Sequence, residues 1–162
     1  MNKPFSQACE NNKLPILNVL TKVFSSAKHV LEIGSGCGYQ SAILSYFANE
    51  IFAVERIKPL VIKSRENLRE LKIRNIMFKH ADGFEGWGES IKFDGIICAA
   101  APRQYPEELM ELLEIDGKLV IPVGLEGQQK LYVVTKKTET DHEEMIYEDV
   151  AFVPMLPGTS SG

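Results

Sequence analysis

Residues Lys28-His-Val-Leu-Glu-Ile-Gly-Ser-Gly-Cys-Gly-Tyr39 decide how this chain is read. An apolar β-type run (Val30, Leu31, Ile33) stops at Gly34-x-Gly36-x-Gly38, and a helical pattern starts at Tyr39. Glycines between a strand and a helix let backbone N–H groups approach a ligand closely, and the helix N-terminus adds partial positive charge. Such a junction is the signature of a nucleotide-type cofactor loop. A dinucleotide loop is spaced G-x-G-x-x-G; here the spacing is G-x-G-x-G, and Glu32 lies two residues ahead of Gly34. A carboxylate at the strand's end suits an ammonium group better than a pyrophosphate. The plain alternative is a glycine turn without a ligand, against which the strand, glycine and helix contexts all agree.

On the far side of the loop, Ala42, Ile43, Leu44, Tyr46 and Phe47 predict a helix closed by Asn49, and Ile51–Val54 a strand buried on both faces. That strand ends in Glu55, 23 residues after Glu32. An acid at the tip of the second strand of a βαβ unit is placed to accept hydrogen bonds from ribose hydroxyls; the alternative is a solvated strand end paired with Arg56. Residues 57–72 predict a charged amphipathic helix with Leu60, Val61, Ile62, Leu68 and Leu71 inward, its lysines and arginines forming a solvated face. Ile76–Phe78 is a third strand, followed by His80-Ala-Asp82-Gly83. Asp-Gly is a turn signal in its own right, yet it falls where a carboxylate would meet an adenine amino group. Phe93–Cys98 is a fourth strand running into Ala99-Ala100-Ala101-Pro102, a small-residue floor beside the loop. A helix from about 106 to 113, strands at 118–123, 131–134 and 145–153, and a polar loop at 136–144 complete the chain. Ahead of the loop, Ile16, Leu17, Leu20, Val23 and Phe24 predict a helix with Pro15 in its first turn. The expected fold is a single doubly wound α/β domain over 1–162: a helical cover (1–27), then a mostly parallel sheet ending in an antiparallel hairpin (28–162).

Composition narrows the function classes. The chain has 162 residues, a net charge of −4, and 44% apolar residues, so no basic footprint for nucleic acid is present. Cys9, Cys37 and Cys98 are far apart and odd in number, which argues against a disulfide framework or a zinc site and suits a reducing cytosol. No apolar run reaches the roughly 18 residues of a membrane span. The expected location is cytoplasmic, with no metal, no nucleic acid and no membrane partner. His29 and His142 read as surface groups, His80 as the histidine nearest the site, and Cys37 as a small filler.

The pattern E-x-G-x-G-x-G resembles motif I of class I S-adenosylmethionine-dependent methyltransferases. From about residue 28 to 156 the chain also resembles protein-L-isoaspartate O-methyltransferases. Val30-Leu-Glu-Ile-Gly-Ser-Gly-Cys-Gly-Tyr-Gln40, Val54–Ile57, Asp82-Gly83 with Gly86-Trp87, Phe93-Asp94, Ala99–Pro102, Gly117–Gly124 and Phe152-Val-Pro-Met155 occur in that family's order. The resemblance implies S-adenosylmethionine as cofactor, with Glu32, Gly34, Ser35, Gly36 and Gly38 at its methionine part. It further places Glu55, with Arg56 beside it, at the ribose, Asp82 and Gly83 at the adenine, and Ala99, Ala100, Ala101 and Pro102 against an isoaspartyl protein or peptide. The start of the chain departs from the pattern. The Gly-Gln-x-Ile-Ser stretch by which the family covers its substrate is not found, and Ala8-x-Glu10-x-Asn12-Lys13-x-Pro15-Ile16-Leu17 resembles the opening of a different class I methyltransferase family.

Carboxylate methylation needs no general base, because an Asp-type group of pKa about 3.9 is already ionised at neutral pH. The absence of a Ser-His-Asp or Cys-His pattern is therefore what this chemistry predicts. Two alternatives stand beside it: methylation of another, small-molecule, substrate, and a cofactor-binding module without turnover. Amino-directed chemistry is disfavoured, since Ala99–Pro102 occupies the place of an Asn-Pro-Pro-Tyr motif.

Overall fold

The computed structural model describes residues 7–88 and 90–162, with the side chains of 7–13 and 15 left aside. Residues 1–6 of the expected helical cover, and the side chains of the Ala8–Lys13 motif (Cys9 included), lie outside what is described. The elements run α1 (Gln7–Val23), β1 (Ala27–Ile33), α2 (Tyr39–Leu44), β2 (Ala48–Glu55), α3 (Lys58–Glu70), β3 (Ile76–His80), a 3-10 turn (Gly83–Glu85), β4 (Phe93–Cys98), α4 (Glu107–Glu111), β5 (Leu113–Val123), β6 (Gln129–Lys136) and β7 (His142–Val150). One seven-stranded sheet has the order β3-β2-β1-β4-β5-β6-β7. Pairings from β3 to β5 are parallel; β5–β6 and β6–β7 are antiparallel. The doubly wound sheet with a terminal hairpin is therefore present, and the antiparallel part begins at β5.

The apolar runs of the central strands do what runs buried on both faces do. In β1, Leu31 and Ile33 join one core with Phe52, Trp87, Phe93 and Ile96. Val30 points the other way, into a second core with Val19, Leu20, Phe24, Ile51 and Val133. Phe24 and Phe93 are fully buried, and Phe52 meets the Phe93 and Trp87 rings edge-on.

Several local expectations change. The first helix starts at Gln7, so Pro15 falls within it rather than in its first turn. α2 ends at Leu44, and Asn49 belongs to β2, because the buried strand begins at Ala48. Ile62 and Leu71 are 51% and 63% exposed; α3 turns only a narrow stripe of Val61, Ser64 and Leu68 inward. β5 begins at Leu113, before the Asp116-Gly117 bend, where Asp116 takes φ +65°. β7 stops at Val150, and the chain then leaves the sheet.

Candidate functional site

The carboxyl ends of the parallel strands surround a cavity of about 550 Å³. Its wall includes Ile33–Cys37 and Gln40 from the β1 end and loop, Val54–Ile57 from the β2 end, Ala99 and Ala100 after β4, and Gly83. A ligand at this sheet edge is what a doubly wound fold provides. Two further parts close the cavity: Ile16, Leu17 and Leu20 of α1, and Ala151–Leu156 beyond β7. Most of the wall is apolar, so its few polar groups carry its specificity.

The glycine loop is held by backbone geometry and by one carboxylate. Gly34, Gly36 and Gly38 all have positive φ (+79°, +56° and +86°), a region that side chains disfavour. Gly34 N–H donates to Val54 O at 2.9 Å, and Ser64 Oγ donates to Gly36 O at 2.7 Å. Glu55, 4% exposed, accepts from Gly36 N–H through one oxygen and from Ile57 N–H through the other, each at 2.9 Å. The acid at the tip of β2 therefore ties the loop to the start of α3 while lining the cavity.

Glu32 lies one layer behind. It is fully buried, accepts from Ser41 Oγ and, at 3.2 Å, from Gln40 Nε2, and is not itself part of the cavity wall. Burial pushes its carboxyl up to about 7; the hydrogen bonds from Ser41 and Gln40 pull it down, and the Glu55 charge adds to the rise. Its reach to the cavity is through Gln40, which does line it. Ser35 borders the same cavity, and its buried Oγ has no protein partner.

The adenine-side pair divides. Gly83 lines the cavity, and a Cβ there would fall 2.5 Å from Ile33 Cγ2, so only glycine fits. The Asp82 carboxylate accepts from Phe84 N–H, capping the 3-10 turn, and from Gly158 N–H of the C-terminal segment. That segment crosses the site. Ala101 exchanges hydrogen bonds with Val153 and Met155 (2.8 and 2.9 Å), Ser160 bonds to Arg56 and Lys58 backbone, and Arg56 Nε donates to Gly158 O at 3.1 Å. His80 Nε2 faces two carbonyls, Arg56 O and Ser160 O, so it carries the proton and donates to them. Of the small-residue floor, Ala99 and Ala100 line the cavity, Ala101 holds the crossing segment, and Pro102 O accepts from Gly124 N–H. Cys37 is exposed at the cavity. Among the described residues no cluster of His, Cys, Asp and Glu could hold a metal ion.

Sequence reasoning missed Ser41 and Gln40, whose signal is polar side chains in the first turn of a helix that otherwise turns inward. It also assigned 151–153 to the last strand, although those residues form cavity wall.

Residues 14–160 match the family model for protein-L-isoaspartate(D-aspartate) O-methyltransferase. The protein-L-isoaspartate O-methyltransferase of Methylobacillus flagellatus is 51% identical over 133 residues, covering 81% of this chain and 60% of the relative. That of Nitrosomonas eutropha is 50% identical over 135 residues, covering 83% and 60%. The chain thus spans about 60% of the length of these relatives. Among solved structures, a Plasmodium falciparum protein described as a protein-L-isoaspartate O-methyltransferase, in complex with S-adenosyl-L-homocysteine, aligns with a TM-score of 0.71 at 25% identity. It covers 96% of this chain and 78% of that one. The fold is that of class I methyltransferases, and the chain belongs to the protein-L-isoaspartate(D-aspartate) O-methyltransferase family.

Proposed function

We propose that the chain is an S-adenosylmethionine-dependent methyltransferase acting on the side-chain carboxylate of L-isoaspartyl residues in proteins or peptides, in the cytoplasm. The observation that carries this reading is the cavity itself. A glycine loop with three positive-φ residues, a carboxylate at the β2 tip and Ser35, whose buried Oγ has no protein partner, all border one mostly apolar space. An orphaned buried hydroxyl is costly unless a ligand completes it, and these residues fit a nucleoside carrying an amino acid.

When bound, S-adenosylmethionine supplies an electrophilic methyl group. Gly34, Ser35 and Gly36 hold its methionine part, Gly38, buried against Ser64 and Leu68, shapes the loop behind them, and Glu32 fixes Gln40 toward the same space. Glu55 and Arg56 take the ribose side. Gly83 faces the adenine, and Asp82 fixes the turn that presents Gly83. Ala99 and Ala100 leave room for the accepting carboxylate, and Ala101 and Pro102 anchor what surrounds it. The substrate carboxylate is already ionised at neutral pH, so this chain contributes no base. Its contribution is alignment and water exclusion, and effective molarity in well-oriented systems supplies about 7–11 kcal/mol.

The test is incubation with methyl-labelled S-adenosylmethionine and an isoaspartyl peptide beside its aspartyl twin. Base-labile label on the isoaspartyl peptide alone is the expected result. Cofactor binding without label on either peptide would overturn the substrate assignment while leaving the cofactor site standing.

A further inference from the structure

Beyond the cavity, the unusual surface is the outer strand of the sheet. Eight of the nine residues of β7 are exposed, and among the described residues no strand pairs its far edge. Its centre is apolar: Met145, Ile146 and Tyr147 are 55%, 52% and 38% exposed. Around that centre stand Asp141, Glu143, Glu144, Glu148 and Asp149, with no lysine, arginine or proline in the strand. Natural edges are blunted by charge, above all lysine, by proline, by bulges or by cover; this edge carries acids and a register irregularity opposite Lys130–Tyr132, but no lysine or proline.

We propose that the free edge of β7 docks an extended polypeptide bearing Lys or Arg on both sides of a short apolar stretch, and that this polypeptide is the flank of the methyl-accepting chain. The second clause rests on the isoaspartyl reading above.

Charge selects the occupant. Paired two-fold with a second copy about Ile146, β7 would set Glu143 opposite Asp149 and Glu144 opposite Glu148. Like charges directly opposite destabilise that register, and in any register a second copy brings up another acidic strand with no lysine or arginine, so a second copy is disfavoured. The groups facing these carboxylates neutralise them only in part. Lys130 of β6 reaches Asp149 at 3.1 Å and Lys137 reaches Glu143 at 3.4 Å. Tyr105 donates to Glu144, which His142 also approaches at 3.4 Å. Among the described residues no cationic group lies within 4 Å of Glu148 or Asp141. A basic strand gains both the free backbone groups and the acidic rim, which is recognition by strand addition.

Direction links the edge to the cavity. β7 is antiparallel to β6, and β6 to β5, so β7 runs with β5 and ends at the cavity side. Val150 passes straight into Ala151–Leu156, which line the cavity. A polypeptide laid along β7 therefore arrives at the cavity mouth at its Val150 end.

The test separates docking from turnover. Peptides without isoaspartate, carrying an apolar triplet flanked by Lys or by Glu, are added to the full chain at low salt, and amide hydrogen exchange is followed. Slowed exchange confined to 142–150 with the Lys-flanked peptide, lost at high salt, is expected. The Glu143→Lys/Glu148→Lys variant is expected to transfer the protection to the Glu-flanked peptide. Equal effects of both peptides on both proteins would overturn the proposal. So would sedimentation showing a dimer that the double substitution abolishes, because the edge then belongs to a second copy. In the methylation assay, an isoaspartyl peptide with a Lys-flanked segment is expected to have a KM about fivefold below its Glu-flanked twin at unchanged kcat. No methylation of any peptide would sink the isoaspartyl reading and the substrate-flank clause, and leave the exchange result to decide docking alone.

Discussion

Carboxylates at two ends of this sheet do opposite things. Glu32 and Glu55, at the cavity end, are 0% and 4% exposed, and their oxygens meet named donors from the glycine loop, α2 and α3. The carboxylates of β7 stand in water, met among the described residues by long lysines and a His–Tyr pair. Burial makes an unmatched oxygen or N–H expensive, so at the cavity the backbone is arranged around the charge. At the edge, solvent screens the charge, and it sets a field without fixing a structure.

Four substitutions sharpen or break that contrast. Glu55→Ala leaves the Gly36 and Ile57 N–H groups without acceptors, and a stability loss of about 2–4 kcal/mol is expected in denaturant titrations. Cofactor affinity measured by calorimetry should fall at least tenfold, about 1.4 kcal/mol. Next comes Gly95→Ala. Its Cβ would lie 2.0 Å from the Phe24 ring, forcing α1 off the sheet, at a cost of about 1–3 kcal/mol in the same titrations. If instead stability is unchanged, the packing of α1 on the sheet is looser than described.

Glu32→Gln is the pH experiment. Burial raises the folded-state pKa from 4.5 to about 7, so the native chain keeps a proton that the unfolded chain releases. Between those values stability falls as pH rises, and the contribution is fully unfavourable above about 7. The variant should show a flatter profile, gaining about 1–3 kcal/mol above pH 7 and nothing below 4.5. A gain independent of pH would mean that the carboxyl is not the cause. Smallest is Glu148→Gln on β7, expected to shift stability by less than about 0.5 kcal/mol in thermal melts. A larger change would show that the edge is structurally engaged rather than free.

Much of this was legible in residues 28–55. Apolar runs of four or five residues, glycines at a strand–helix junction and an acid some 20 residues on are local signals, and each local rule agreed with the others. The same rules were less sharp where one element has two possible edges. Pro15 suggested a helix start and lies inside the helix, whose C-terminal part, with Phe24 just beyond it, packs Val19 and Leu20 against the sheet. Ile62 and Leu71 fit an inward stripe by spacing, yet the surface offered to α3 is too narrow to cover them.

By itself, then, the sequence determined the number of the strands and their succession along the chain, the loop that faces a ligand, and which runs are buried on both faces. These follow from periods of 2 and 3.6 residues and from glycine's freedom of φ, all properties of short stretches. Only the tertiary structure decided that the chain after Val150 turns back across the site to Ala101 and Arg56. It likewise decided that Asp82 spends its carboxylate on Gly158, 76 residues away, and that Glu32 acts from behind Gln40. Such contacts join segments whose local patterns carry no mark of each other. They exist because the sheet brings strand ends together and buried polar groups must then find partners there.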